Sequence, residues 1–154
     1  MQAALEYGRN LPSFSDQKTA ESELFRQRDK IIREIIDAAG YSDLFAADFR
    51  PESLKSLEKW YFILWESDSF DQIGMTREQF ERCISMYFGE VIVRNSSEFE
   101  WFVDEYAFIP GRYVLGVRKE MVSLTLTRET DLYARRDNKR KQSIWREYRR
   151  WTKR

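Results

Sequence analysis

The chain contains no histidine. That absence removes Ser-His-Asp and Cys-His nucleophile systems, His-ligated zinc and imidazole proton shuttling from the available chemistry. The single cysteine, Cys83, excludes an intrachain disulfide and any thiolate cluster for zinc or iron–sulfur. The six glycines are scattered, so there is no Gly-rich loop to cradle a phosphate, and no stretch has calcium-loop spacing. The longest unbroken apolar run, residues 60–65, falls far short of the roughly 20 that a membrane-spanning helix requires. Near the start, Glu6, Arg9, Asp16 and Lys18 interrupt any signal-like apolar stretch. An unpaired thiol suits a reducing compartment. The expectation is a soluble cytoplasmic protein without membrane association, cofactor, metal or catalytic residues.

What is present is enough for a core. Of the 154 residues, 42% are hydrophobic and 16% aromatic, which predicts a single folded domain over 1–154 needing no covalent staple. Lys+Arg and Asp+Glu balance at 26 each, yet the charges are segregated. The last twenty positions carry ten basic residues (among them Arg135, Arg136, Lys139, Arg140, Lys141 and Arg154) against Asp137 and Glu147, a net +8. Residues 66–106 carry ten acids against Arg77, Arg82 and Arg94, a net −7. Such halves attract each other, or face different partners.

Residues 1–15 read as an irregular arm, broken by Gly8, Asn10 and Pro12. A helix is expected over about 16–39: Leu24, Ile31, Ile32, Ile35 and Ile36 form its stripe, Asp16 or Ser15 caps it and Gly40 stops it. Pro51 opens a second helix to about residue 65. The run 60–65 would also suit a strand, but helix formers precede it. Thr76 with Gln79 is a capping box, followed by an apolar face of Phe80, Cys83, Ile84 and Tyr87 and a stop at Gly89. Four strands are then expected between Val91 and Thr127. They are the β-branched 91–93, the alternating Phe99, Trp101 and Val103, the trio Tyr113, Leu115 and Val117, and the trio Val122, Leu124 and Leu126. Pro110-Gly111 supplies a turn. Helical spacing returns over about 141–151 through Ile144, Tyr148 and Trp151. The fold class is α+β: N-terminal helices on an antiparallel sheet, with a basic amphipathic C-terminal helix.

The stretch Tyr87-Phe88-Gly89-Glu90-Val91-Ile92, with Glu100-Trp101 and Asp104-Glu105-Tyr106 beyond it, resembles a group of small bacterial domains of unknown function. These have a helix, a Gly-Glu-Val strand start and a following Glu-Trp strand, and their layout is similar to that of some toxin-immunity proteins. The resemblance covers about residues 75–117. It implies a non-enzymatic bacterial protein and brings no catalytic residue with it.

Two candidate surfaces follow. Glu98, Glu100 and Asp104 have even spacing and should share one strand face, with Glu90 and Glu105 nearby; such an acidic face suits a basic protein partner, and its plainer reading is a solvated strand side. Arg146, Arg149 and Arg150 interleave with Trp145, Tyr148 and Trp151, which suits nucleic acid through phosphate contacts and stacking; its plainer reading is a docked amphipathic helix with wet arginines. The expected function is protein interaction through the acidic face, immunity-like, with nucleic-acid association through the C-terminal helix as the alternative. Cys83, among apolar helical neighbours and with no base to ionise it, reads as a buried inert thiol.

Overall fold

The computed structural model describes residues 1–127 and 142–153. Its elements run α1 (Gln2–Arg9), α2 (Gln17–Ala39), α3 (Ser53–Glu66), a 3-10 turn (Phe70–Ile73), α4 (Arg77–Asn95), β1 (Glu100–Glu105), β2 (Tyr113–Lys119), β3 (Val122–Thr125) and α5 (Ser143–Thr152). The class is α+β. The basic positions Arg135, Arg136, Lys139, Arg140, Lys141 and Arg154, with Asp137, lie outside the described residues.

Short-range chemistry sets the helix starts. The Asp16 side chain accepts from the Thr19 amide at 2.7 Å, satisfying an orphan donor of α2, and this bond holds the Asp16 carboxyl below its ordinary pKa. In α2, Leu24, Ile32 and Ile35 are buried, whereas Ile36 falls off the stripe and is exposed. The capping box forms in full: Gln79 N donates to Thr76 Oγ1 (3.1 Å) and Thr76 N to Gln79 Oε1 (2.8 Å). The run 60–65 is helical, within α3, and buries Trp60, Tyr61, Phe62 and Leu64 while Ile63 stays exposed.

Helix α4 is the central element and departs from expectation. It does not stop at Gly89 but continues through Val91, Ile92 and Val93 to Asn95. The sheet therefore has three strands rather than four, antiparallel, in the order β1-β2-β3. Gly89 serves close approach: a Cβ there would clash with the Trp101 ring and lie 2.8 Å from Leu126 Cδ1. Complete burial of Val91 and Ile92 outweighs their preference for strand. The far end of α4 is tied to the entrance of α3. Phe49, at φ 59°, donates its amide to Tyr87 Oη (3.0 Å), and its carbonyl accepts from Asn95 Nδ2 (2.8 Å).

Strand register assigns the two sheet faces. Trp101 pairs with Val117 and Val103 with Leu115, and these side chains join Phe99, Tyr113 and Leu126 in the main core under α2 and α4. On the opposite face Phe102 and Val114 are buried as well, against Leu11, with Tyr7 and Tyr106 beside them. The first fifteen residues depart in part from the irregular arm the sequence suggests. Residues 2–9 form α1, and Gly8 is a contact point where a Cβ would come within 2.7 Å of the Tyr106 ring and 2.8 Å of Ile109. The arm is then fastened by Tyr106 Oη to the Ala4 carbonyl (2.9 Å), Arg112 Nη1 to that of Leu11 (2.6 Å) and Tyr113 N to that of Pro12 (3.1 Å).

Candidate functional site

Helix α5 is held by one carboxylate. Glu58, on α3 and only 3% exposed, accepts from Ser143 N (3.0 Å) through Oε2, and from Ser143 Oγ (2.7 Å) and Ile144 N (3.0 Å) through Oε1. The first-turn amides of α5 are thereby satisfied by an anion at the positive end of its dipole. Ile144, Tyr148 and Trp151 point inward and are buried, but they dock on α3 and α4 rather than chiefly on the sheet.

That docking turns the basic residues outward. Arg146, Arg149, Arg150 and Lys153 are exposed, and their i, i+3, i+4, i+7 spacing places them on one stripe about 10 Å long. The only acid of α5 is Glu147, which accepts from Trp151 Nε1 (2.9 Å) and lies 3.6 Å from Arg150 Nη1. Among the described residues Arg146, Arg149 and Lys153 have no carboxylate within ion-pair distance. Trp145 is half-buried and already occupied. Its ring lies 4.6 Å from Lys55 Nζ and stacks on Tyr148 at 5.8 Å between centroids. Base stacking would require those contacts to move, so the stripe offers charge rather than a stacking platform.

The five candidate acids do not form one face. Glu100 and Asp104 share the outer face of the sheet, where both reach Arg118, at 3.2 Å and 3.3 Å. Glu98 instead pairs with Lys119 at 2.6 Å, on the helix side near Trp151. Glu105 accepts from the Gly111 amide (2.8 Å) and closes the β1–β2 turn. Glu90, on α4, accepts from Trp101 Nε1 (2.9 Å) and pairs with Arg94 (3.0 Å). Even spacing failed for Glu98 because it precedes β1, where the alternation begins.

Lys153 and Glu58 extend the sequence-derived set. Lys153 continues the arginine spacing and was legible there. Glu58 carried a subtler signal, an acid four residues after Leu54 and three before Tyr61, on the buried stripe of its own helix. Burial pushes the Cys83 thiol up to about 12, the Glu34 charge adding to this and that of Arg82 opposing it. Among the described residues no group of three or more Cys, Asp or Glu is placed to hold a metal ion, and no helix is long and apolar enough to cross a membrane.

Comparison with known proteins places the chain within a family but not within a chemistry. A Bacillus subtilis (strain 168) protein, described as "Uncharacterized protein YwmA", is 27% identical over 118 residues, which are 77% of this chain and 74% of that protein. No solved structure matches. The family described as "Uncharacterised protein YwmA" matches residues 13–152, from the end of the α1 arm through α5, and the chain belongs to that family.

Proposed function

We propose that this protein is a non-enzymatic binding domain that engages the phosphate backbone of nucleic acid through the outward stripe of α5. The observation that carries the reading is the stripe itself: four cations on one helix face, with a single acid among them that is shared with Trp151. Nearby basic positions in the sequence add to the same charge. Trp145 is turned into the protein, so contacts of this kind carry affinity without base specificity. The reading is tested by anisotropy of a labelled duplex across a salt series. If all four cations meet phosphates, log K should fall with log salt at a slope of about −3 to −4. The triple variant R146E/R149E/R150E should lose binding while retaining its circular dichroism and thermal midpoint. Absence of binding at low salt, or binding that survives the triple variant, refutes it.

The immunity-like reading, a basic protein partner on the acidic side, draws on one feature: the Glu98, Glu100 and Asp104 side chains are 63%, 67% and 55% exposed. Against it, each is paired to Lys119 or Arg118, so a partner must displace a cation the protein already supplies. Partner capture abolished by E100Q/D104N, and indifferent to the α5 variant, would establish this second reading instead.

A further inference from the structure

Away from α5, a cleft of about 410 Å³ lies where α2, α4, the sheet and the connection after α1 meet. Its α2 wall comprises Leu24, Gln27, Arg28 and Ile31, whose i, i+3, i+4, i+7 spacing makes them one helical face. Across from them α4 contributes Arg82 and Met86, one turn apart. No carboxylate lines the cleft among the described residues. Two guanidiniums from different helices therefore share a mostly polar, donor-rich concavity, with Ile31 as its main apolar exposure, of a size usual for small-molecule sites.

The two arginines are prepared differently. Arg28 is pre-positioned: its side chain is 18% exposed and its guanidinium lies 4.6 Å from the Phe25 ring and 5.2 Å from that of Trp101. Nε and Nη2 rest on Asp29 at 3.0 Å and 2.9 Å, which leaves Nη1 for another acceptor. Arg82 is exposed and makes no hydrogen bond or ion pair among the described residues. Among the described residues no carboxylate lies within ion-pair distance of it, and Arg28 borders the same space.

We infer that this cleft binds a small organic phosphate monoester. Arg28 already shares the Asp29 carboxylate, so the charge to be met is chiefly that of Arg82; a phosphate group has oxygens enough to take Arg28 Nη1 and the Arg82 fork together. The organic group lies on the half-buried Ile31, at the edge of the buried Leu24 and Met86. A carboxylate has only two oxygens to divide between two arginines on different helices, and inorganic phosphate leaves Ile31 uncovered.

The inference stands apart from the α5 reading, and titration calorimetry on the full chain at low salt tests it with phenyl phosphate as the probe. Phenyl phosphate should bind about tenfold more tightly than inorganic phosphate or benzoate, and change the tryptophan emission through the Arg28–Trp101 contact. Arg82→Gln should weaken binding by about tenfold or more with an unchanged melting curve, because Arg82 is exposed and makes no hydrogen bond or ion pair among the described residues. The triple α5 variant should bind normally. No heat up to about 10 mM probe, benzoate or inorganic phosphate binding as well as phenyl phosphate, an unaffected Arg82→Gln, or loss of binding in the α5 variant would each overturn it.

Discussion

Replacing Glu58 with Ala should free α5 while the rest of the protein stays folded. The carboxylate accepts three hydrogen bonds from Ser143 and Ile144, and the Ile144 amide is buried. Truncation leaves two first-turn amides without an acceptor, at about 1–3 kcal/mol each. It also removes an anion from the helix N-terminus, worth roughly 0.3–2 kcal/mol. Opposing this, burial of Ile144, Tyr148 and Trp151 contributes about 1.5–3 kcal/mol per side chain. Ordering the ten residues of α5 consumes most of that gain, since so short a helix is marginal alone. The docked state is therefore near balance without Glu58. Hydrogen exchange read by mass spectrometry should show amide protection over 143–152 falling by about 100-fold or more, at 1.4 kcal/mol per decade, with α4 unchanged. Glu58→Gln keeps one acceptor oxygen but aims donors at donors, and should fall between wild type and Ala. Wild-type protection of α5 in Glu58→Ala would refute the idea that this carboxylate holds the helix.

Gly89→Ala tests close approach against helix propensity. Ala gains about 1 kcal/mol in a helix, but the clash with Trp101 and Leu126 should cost about 1–3 kcal/mol, so the urea midpoint should drop and a rise would count against the contact. Tyr87→Phe strands the Phe49 amide, which donates to Tyr87 Oη at 3.0 Å; a loss of about 1–3 kcal/mol is expected by denaturation, and an unchanged midpoint contradicts it. Cys83, with its thiol pushed up to about 12, should resist thiol reagents at pH 8 until the chain is denatured. Because the folded pKa is raised, the contribution of Cys83 to stability is full below the unfolded value near 9 and is lost as pH rises towards 12; Cys83→Ser should flatten that alkaline decline.

The parts of the fold legible in the sequence are those decided within a few residues. Thr76 and Gln79 satisfy each other's backbone, so their pattern announces the start of α4 without reference to anything distant. Gly8 and Gly89 misled because a missing Cβ serves a turn and a close approach equally well, and the deciding neighbours, Tyr106 and Trp101, lie far away in sequence. Once Trp101 and Leu126 sit on Gly89, the helix continues and 91–93 cannot be a strand. Alternation along β1 correctly sent Trp101 and Val103 to the main core, which Phe99 joins from just ahead of the strand, yet was silent on what covers the other face. Phe102 there meets Leu11, delivered by an N-terminal segment that has too few residues to show its own period. Candidate-site residues followed the same division: the spacing of the arginines was local and readable, whereas the partners of the acids depended on strand register.

The same register explains why the acidic middle and the basic end of the chain do not simply neutralise each other. Glu100 and Asp104 find Arg118 across one strand pair, and Glu98 finds Lys119. Glu90 finds Arg94 one turn away on the same helix, and Glu81, buried in α4, binds Tyr61 Oη with Arg77 Nε at 3.8 Å. These five acids are each engaged by something near them in the fold and are not drawn to α5. The acid that does hold α5, Glu58, comes from outside the acidic stretch and acts on backbone amides rather than on the arginines. Its bonds spend no basic side chain. A helix docked through its amides and its apolar stripe keeps its cations on the outside, with Arg146, Arg149 and Lys153 free of ion pairs among the described residues, and surface cations of that kind are what a polyanion neutralises at greatest gain through counterion release.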